Sequence, residues 1–485
     1  MEDQRKFTLD IGITLVASAI NMFLAFAISV MLGRYLGTED LGLYRMVSTV
    51  FAIAILIAAL GIPSALIKYV AEYKDNKKEF NKIASSGLLT SLLLGAIALP
   101  VTYLLSGPLA DLFHMPGLAD LFRILAVVFP FALVNQALLG MLNGLREMKW
   151  YAVYYIIQGV FMGAATGLLI YMGWGVTGAV LGLVLSYAVS CIFLISVSSR
   201  YFRLTLDGFS KTTSMLLSFS APILVTNGIN MVNYQADTVL IGYFRSASDV
   251  GFYSASITLT RLLWVIPQAI QMITYPATSE YFSKNRSEAL QRMIDKMMKY
   301  TACVLSLSGL AFAFFASDIV HLIYGSEFGG SVLPMQVLLV GTVIWGVVIS
   351  IGGSITGAGR PDLGMKLVAI SALTNLVLNL VLIPAVGIVG AAAATSTSLI
   401  VATIAGLYLT VKILNVAIDY LWYARMAVLI LLSALAYLLL GPLYSRMLPI
   451  LLLIAYALIL AIYFLNEDDR SYFLGLLRNI RSLFK

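Results

Sequence analysis

The chain has 485 residues, of which 60% are hydrophobic and only 11% charged, with a mean hydropathy of +0.93. This composition excludes a soluble globular protein, because the apolar share of such proteins is near half. The formal net charge of +7 can be interpreted only from the positions of the positive residues along the chain. The composition predicts an all-α polytopic membrane protein, since each span must satisfy its own backbone hydrogen bonds in lipid.

The amino-terminal segment has a basic lead followed by a long apolar run without a small-residue cleavage site. We therefore expect a first membrane span rather than a removable signal. Cys191 and Cys303 both lie inside apolar runs. This placement predicts neither a disulfide framework nor a cysteine metal site, and no other metal site is expected.

Apolar stretches separated by short polar breaks predict fourteen transmembrane helices, numbered in chain order. They cover residues 12–33, 42–70, 83–106, 118–143, 151–172, 176–198, 214–244, 250–276, 298–316, 332–356, 363–383, 388–411, 424–441 and 447–465.

Lysine and arginine residues are concentrated in every second loop between these helices. The opposite loops contain only Arg34, Arg245 and Arg446, with Arg123 at a helix mouth. By the positive-inside rule both termini are predicted to be cytoplasmic, in a multi-pass protein of the cell (plasma or inner) membrane. Because the positive charge follows topology, we expect membrane lipids and no nucleic acid as partners.

The chain also contains a weak internal repeat with an offset of about 209 residues. The sequence INM at Ile20 recurs at Ile229, and GVTGA at Gly175 aligns with GIVGA at Gly387. The offset spans six predicted helices, so both copies have the same orientation, as in transporters with two rocking halves. The repeat therefore predicts one six-helix bundle in residues 1–211 and a second in residues 212–414. Two extra helices and a basic cytoplasmic tail are predicted in residues 415–485.

One stretch of this repeat is especially clear, since GRYLGTEDLGLY after predicted helix 1 recurs as GYFRSASDVGFY after predicted helix 7. Asp40 and Asp249 occupy equivalent positions where they can cap the next helix. Gly42 and Gly251 are also equivalent and allow close backbone approach. We interpret the doubled stretch as an architectural outer hairpin, made once per half.

These features resemble a known family. Two stretches carry the resemblance, GRYLG with DLGLY after predicted helix 1, and DTVLIGYF to DVGFYSAS across predicted helices 7 and 8. In these stretches and in its 6+6+2 arrangement of helices, the chain resembles the polysaccharide/O-antigen (Wzx-type) flippases. Those proteins belong to the multidrug/oligosaccharidyl-lipid/polysaccharide exporter superfamily. The resemblance covers the whole chain. It implies movement of a polyprenyl-diphosphate-linked oligosaccharide from the inner to the outer leaflet by alternating access, for assembly of cell-surface polysaccharide or glycan. Other polysaccharide assembly proteins are further candidate partners.

The second copy carries polar residues where the first copy is apolar. In predicted helix 7, one face of about 120° collects five polar side chains, as 100° per residue requires. They are Asn227, Asn230, Asn233, Tyr234 and Asp237. This face is not expected to contact lipid, and we place Asn227, Asn230 and Asn233 in a central substrate cavity.

Predicted helix 8 shows a similar stripe, formed by Arg261, Trp264, Gln268, Gln271 and Tyr275. A rise of about 1.5 Å per residue puts Arg261 roughly 15 Å from the outer end of the helix, near the midplane. An arginine at that depth needs a partner or a water-filled cavity. We assign Trp264, Gln268 and Gln271 to the same cavity.

The arginines are the candidate binding groups for the diphosphate of the carrier lipid, because a guanidinium presents several donors suited to phosphate oxygens. Arg45 in predicted helix 2 and Arg34 at the end of predicted helix 1 would extend the cationic surface of Arg261 outward. The alternative for Arg261 is a buried ion pair with Asp237. Asp237 could instead bind a coupling Na⁺ or H⁺, and no other cofactor is expected.

Further polar residues in the helices would either line the cavity or form interhelical hydrogen bonds. They are Asn135, Asn143, Gln158, Asn375 and Asn379.

Three other functions compete with this interpretation. A membrane enzyme acting on lipid-linked sugars would need catalytic groups in a sizeable outer loop, and the predicted outer loops are short, so no enzyme is expected. A cation-coupled multidrug antiporter of the same superfamily normally stops at twelve helices. A peptidoglycan lipid II flippase also has fourteen helices and an arginine-lined cavity, so it remains an alternative. The sequence does not specify the sugar.

Overall fold

The computed structural model describes the backbone of residues 2–440 and 447–464, and the side chains of residues 20, 22–360, 362–440 and 447–464. Every regular element in these ranges is a helix. In chain order the α-helices are α1 (Glu2–Ala59), α2 (Ile62–Tyr73), α3 (Lys77–Leu112), α4 (Leu118–Ala126), α5 (Val128–Gly144), α6 (Met148–Tyr171), α7 (Gly175–Ser198), α8 (Phe209–Phe244), α9 (Ala247–Arg261), α10 (Val265–Ser283), α11 (Ser287–Phe314), α12 (Ala316–Ile323), α13 (Val332–Ile349), α14 (Gly352–Gly357), α15 (Pro361–Val386), α16 (Ile388–Leu414), α17 (Tyr420–Leu440) and α18 (Met447–Ile459). Shorter 3₁₀ segments are Leu262–Trp264 and Ser326–Ser331, and Leu460–Phe464 is a π-helical turn.

The long element α1 contains two antiparallel helices joined at Gly37. Gly37 has φ 77° and ψ −171°, a conformation that glycine adopts without steric cost. Arg45 Nη2 lies 3.0 Å from Ser29 Oγ, although the two residues are 16 positions apart. In a straight helix that separation would be about 24 Å, beyond the reach of an arginine. The chain therefore reverses at Gly37, between predicted helices 1 and 2.

The predicted all-α polytopic architecture is confirmed for the described residues. Twelve helices are long and apolar enough to cross a membrane, and the pair α4 and α5, bent by 49°, is a thirteenth candidate. One of the twelve, Met22–Ala59, includes the reversal at Gly37, and dividing it there supplies the fourteenth. The orientation of the termini stays a prediction, and the basic tail at 465–485 lies outside the described residues.

Four of the predicted helices, numbers 2, 4, 8 and 10, are broken rather than continuous. In three of them a proline explains the break, because its ring clashes with the carbonyl four residues earlier. Pro63, Pro130 and Pro267 follow the interruptions at 60–61, at 127 and at 262–264. The fourth interruption, at 350–351, precedes the pair Gly352 and Gly353. Helices 2 and 8, and 4 and 10, are equivalent in the predicted repeat, so the breaks fall in matching helices.

The described residues form two compact units. The first contains the chain up to Thr258 together with Ile323–Gly330 and Asn375–Ala391. The second contains Leu259–Leu322, Ser331–Thr374 and the residues after Ala391. This grouping follows compactness rather than sequence similarity. The repeat boundaries at 211 and 414 therefore stay predictions.

In the first unit, α6 and α7 pack closely along a small-residue stripe on α7. Gly178, Gly182, Ser186 and Ser190 recur every fourth residue and are buried. A Cβ atom added at Gly182 would lie 2.3 Å from Thr166 Oγ1 and 2.8 Å from its backbone nitrogen. Membrane helices associate through such small residues, because lipid supplies no hydrophobic driving force between them.

Replacing Gly182 by leucine should destabilise the first unit by about 1 to 3 kcal/mol, the usual cost of overpacking. Thermal unfolding in detergent would measure the change as a lower melting temperature. Gly364→Leu is the matched control, since a Cβ there meets no atom within 4 Å. Equal melting temperatures for the two variants would contradict the packing assigned to α6 and α7.

Candidate functional site

Arg45 is held by hydroxyl groups from distant parts of the chain. Its Nη2 donates to Ser29 Oγ at 3.0 Å and to Thr258 Oγ1 at 3.1 Å. The Ser29 hydroxyl in turn lies 3.1 Å from the Tyr324 hydroxyl. Arg45 Nε is buried and has no hydrogen-bond partner among the described protein atoms. The guanidinium is thus fixed through Nη2, and its buried Nε is a donor without a partner among the described atoms.

A cavity of about 210 Å³ lies beside Arg45 in the first unit. Its polar lining consists of Ser29, Tyr44, Arg45, Ser48 and Gln158. The apolar lining consists of Leu24, Ala25, Ile28, Leu32, Gly159 and Met162. A few convergent polar groups on an apolar wall are typical of a small-ligand site.

The predicted site residue Arg34 lies at the same hairpin as Arg45 but makes a different contact. Its side chain is exposed, and its Nε donates to the backbone oxygen of Ile323 at 2.8 Å. The neighbouring Gly33 touches the Tyr324 ring so closely that an added Cβ would lie 2.4 Å from it. Arg34 and Gly33 therefore hold the segment Ile323–Gly330 against the hairpin. The role of Arg34 in binding substrate stays a prediction.

Asp237 belongs to a buried polar cluster in the first unit. Its two carboxylate oxygens accept hydrogen bonds from Tyr253 Oη and, at 2.6 Å, from Asn379 Nδ2. Asn379 Nδ2 also donates to Asn375 Oδ1 at 3.0 Å. All four side chains are at most 5% exposed. The carboxylate thus accepts hydrogen bonds from neutral donors in a buried setting, where an acid is a candidate for binding a cation.

The rest of the polar face of α8 is more exposed. Asn227 is exposed, Asn233 is half-buried, and Asn230 Nδ2 donates to the Thr226 oxygen one turn earlier at 3.2 Å. Gln235 lies off this face and accepts a hydrogen bond from Thr49 at 3.3 Å. The three asparagines and Asp237 therefore share a helix, although only Asp237 is part of the buried cluster.

Arg261, Trp264, Gln268 and Gln271 all lie in the second unit. Arg261 is half-buried and ends α9 directly before the break at Leu262–Trp264. Trp264 Nε1 donates to the Thr342 oxygen of α13 at 3.1 Å, so it contributes to helix packing. Gln268 is exposed, whereas Gln271 lies beside Gly352. The stripe expected on predicted helix 8 is interrupted, because Arg261 ends α9, Trp264 lies in the break, and Gln268, Gln271 and Tyr275 lie in α10.

Several residues of the site were not identified from the sequence. These residues are Ser29, Ser48, Thr258 and Tyr324. Serine, threonine and tyrosine are common in any membrane helix, and the contact between Tyr324 and Ser29 joins positions 295 residues apart. Only a tertiary contact distinguishes them.

Some of the polar residues expected to line the cavity or to join helices are now placed. Gln158 lines the cavity, and Asn379 binds Asp237. Asn375 accepts a hydrogen bond from Asn379 in the same cluster. Asn135 makes an interhelical hydrogen bond, to the Tyr187 oxygen at 3.0 Å.

The many apolar helices, with an arginine-bearing cavity and a buried acid among them, define a polytopic α-helical membrane transporter. The model of the family "Polysaccharide biosynthesis protein" matches residues 7–282, more than half of the chain. The chain therefore belongs to this family. The MatE family model also matches residues 222–381. The predicted resemblance to polysaccharide flippases of the wider exporter superfamily is confirmed, and the protein is a multi-pass protein of the cell membrane.

Two relatives from Haloferax volcanii illustrate the similarity. The chain is 29% identical to the probable low-salt glycan biosynthesis flippase Agl15 over 168 residues, which are 35% of this chain and 36% of Agl15. It is 25% identical to the probable flippase AglR over 401 residues, 80% of each chain. The chain thus aligns with about a third of Agl15 and most of AglR.

The fold is also that of a solved structure, the lipid II flippase MurJ in an inward closed conformation. The TM-score is 0.76 at 16% identity, and the match covers 94% of this chain and 98% of that one. At this identity the likeness concerns the fold alone.

Proposed function

We propose that this protein is a flippase that moves a lipid-diphosphate-linked oligosaccharide from the inner to the outer leaflet by alternating access. The proposal rests on the position of Arg45, whose guanidinium is fixed by Ser29 and Thr258 at the wall of a mainly apolar cavity with a few polar groups. A guanidinium binds phosphate oxygens through charge-assisted hydrogen bonds, roughly twice as strong as neutral ones. The hydroxyl and amide groups of Ser48 and Gln158 suit the adjoining sugar.

The relatives favour this substrate class over the alternatives. Agl15 is named for glycan biosynthesis, and a relative from Shigella flexneri is named a putative O-antigen transporter. The arginine and the neutral cavity lining fit an anionic lipid head better than a cationic drug. A lipid II flippase remains the alternative within the same fold, since its substrate is also a diphosphate-linked glycan. Membrane lipids are partners on either reading, and other assembly proteins are further candidates.

Asp237 adds a second proposal, that transport is coupled to Na⁺ or H⁺. Its burial among Tyr253, Asn379 and Asn375 is the observation that favours it. The ion pair with Arg261 remains the alternative for the same carboxylate. The proposed substrate class is the same whether Asp237 binds a coupling ion or pairs with Arg261.

The substrate class is tested with purified protein in proteoliposomes. Labelled polyprenyl-diphosphate oligosaccharide in the inner leaflet should become accessible outside at a rate set by the protein, while a cationic dye should not move. A protein that exports the dye and leaves the glycolipid in place would instead be a drug antiporter. Lipid II in a parallel experiment separates the two flippase readings.

A further inference from the structure

The two copies of the doubled hairpin contact each other in a reciprocal way. A Cβ added at Gly42 would lie 1.7 Å from the backbone oxygen of Ala247, and one added at Gly251 would lie 2.0 Å from that of Thr38. The offset of 209 that relates Gly42 to Gly251 also relates Thr38 to Ala247. Gly42 therefore packs on Ala247, and Gly251 packs on Thr38, the residue equivalent to Ala247. The two contacts are related as if by a two-fold axis.

A second pair of equivalent residues also joins the two copies about two turns further along, although their partners are not equivalent. Thr49 and Thr258 are related by the same offset. Thr49 donates to Gln235 on α8, in the second copy, at 3.3 Å. Thr258 accepts from Arg45, in the first copy, at 3.1 Å. Both threonines therefore reach across from one copy to the other.

The contact surface extends to the segment Ile323–Gly330. Tyr324 packs on Gly33 and lies within hydrogen-bond distance of Ser29, and Ser29 accepts from Arg45. Arg45 is consequently oriented by Thr258 directly and by Tyr324 through Ser29. Both orienting residues come from the second copy.

We propose that the doubled hairpin is the closing contact at one end of the carrier, and that its closure orients Arg45 through Thr258 and Tyr324. The positive-inside rule predicts that this end is the outer face. When the hairpins separate, Arg45 loses Thr258 and the Ser29–Tyr324 link, so its affinity for an anion falls as the outer end opens. The role of Arg45 in binding rests on the function proposed above, whereas the closing contact does not.

The glycines make this closure testable without a substrate. Their neighbours are backbone carbonyls, which cannot rotate away as a flexible side chain would. Gly42→Ala and Gly251→Ala should each prevent the contact. In a chain with Cys191 and Cys303 replaced by serine, a reporter Ser48→Cys should react at least about tenfold faster with an impermeant maleimide added outside.

The double variant sharpens the test, because both substitutions break one contact. Gly42→Ala/Gly251→Ala should label no faster than either single variant, the non-additivity expected of residues that share a contact. Gly107→Ala is the control, since a Cβ there meets no atom within 4 Å. Labelling at the parent rate in the glycine variants, or independent effects that multiply, would overturn the closing contact.

The orienting role is measured separately, with inorganic pyrophosphate as the probe and a permeant maleimide. Pyrophosphate should protect Ser48→Cys from labelling. Thr258→Val and Tyr324→Phe should raise the half-protecting concentration by about threefold to tenfold, the usual effect of one hydrogen bond. Unchanged protection in both would overturn the orienting role. Unchanged protection in Arg45→Ala would instead refute the proposed anion site, while leaving the glycine result standing.

Discussion

Replacing Arg45 by alanine is expected to lower the flipping rate of a diphosphate-linked glycolipid by about tenfold to a hundredfold. A hydrogen bond to a charged group contributes about 1.5 to 3 kcal/mol, and about 1.4 kcal/mol corresponds to a factor of ten. The variant loses such bonds to the diphosphate, whereas Ser29 keeps its contact with Tyr324 and Thr258 keeps its hydrogen bond to the Ser254 oxygen. The measurement is the initial rate in proteoliposomes, normalised to the amount of folded protein.

Two further variants show whether geometry or charge alone matters. Arg45→Lys keeps the charge but loses the planar set of donors, so we expect an intermediate rate. Arg123→Ala removes an exposed arginine whose described partner is Asp120 at 2.7 Å, and it should leave the rate unchanged. If Arg45→Ala flipped the glycolipid as fast as Arg123→Ala, Arg45 would not be part of the binding site.

Asp237→Asn is expected to remove any dependence of transport on a sodium or proton gradient while leaving the fold intact. Asparagine has nearly the same shape and can still accept a hydrogen bond from Tyr253 or Asn379, but it carries no charge to bind a cation. Transport rates with and without each imposed gradient would measure the effect. A gradient dependence that survives in Asp237→Asn would refute coupling through this residue.

Asp237→Ala separates coupling from stability. It removes the carboxylate that accepts from the Tyr253 hydroxyl and the Asn379 amide, and a hydrogen bond to a charged group contributes about 1.5 to 3 kcal/mol. We therefore expect a lower melting temperature for Asp237→Ala than for Asp237→Asn. Equal melting temperatures would mean that the cluster contributes little to stability.

The number and order of the helices were predictable because a membrane span must be long, apolar and helical. The reversal at Gly37 also followed from the polar interruption between two apolar stretches. The breaks within four helices were missed, since hydropathy averages over them. Pro63, Pro130 and Pro267 were only a partial signal, because other prolines, such as Pro100 and Pro222, lie inside continuous helices.

The site was predictable only in part. Arg45 and Asp237 were found because charged groups are costly in a membrane and stand out from their neighbours. Ser29, Thr258 and Tyr324 were not, since a serine, a threonine and a tyrosine carry no such cost. The doubled hairpin was expected to be architectural. Its reciprocal glycine contact supports that expectation and adds a proposed function in closure.

The central claim is that the protein recognises the diphosphate of a lipid-linked glycan, and one measurement tests it most directly. Proteoliposomes with purified protein would receive the same oligosaccharide on the same polyprenyl chain, joined either through a diphosphate or through an uncharged linkage. We predict rapid flipping of the diphosphate form and at least about tenfold slower flipping of the uncharged form. Equal rates for the two lipids, or no protein-dependent flipping of either, would contradict the proposal.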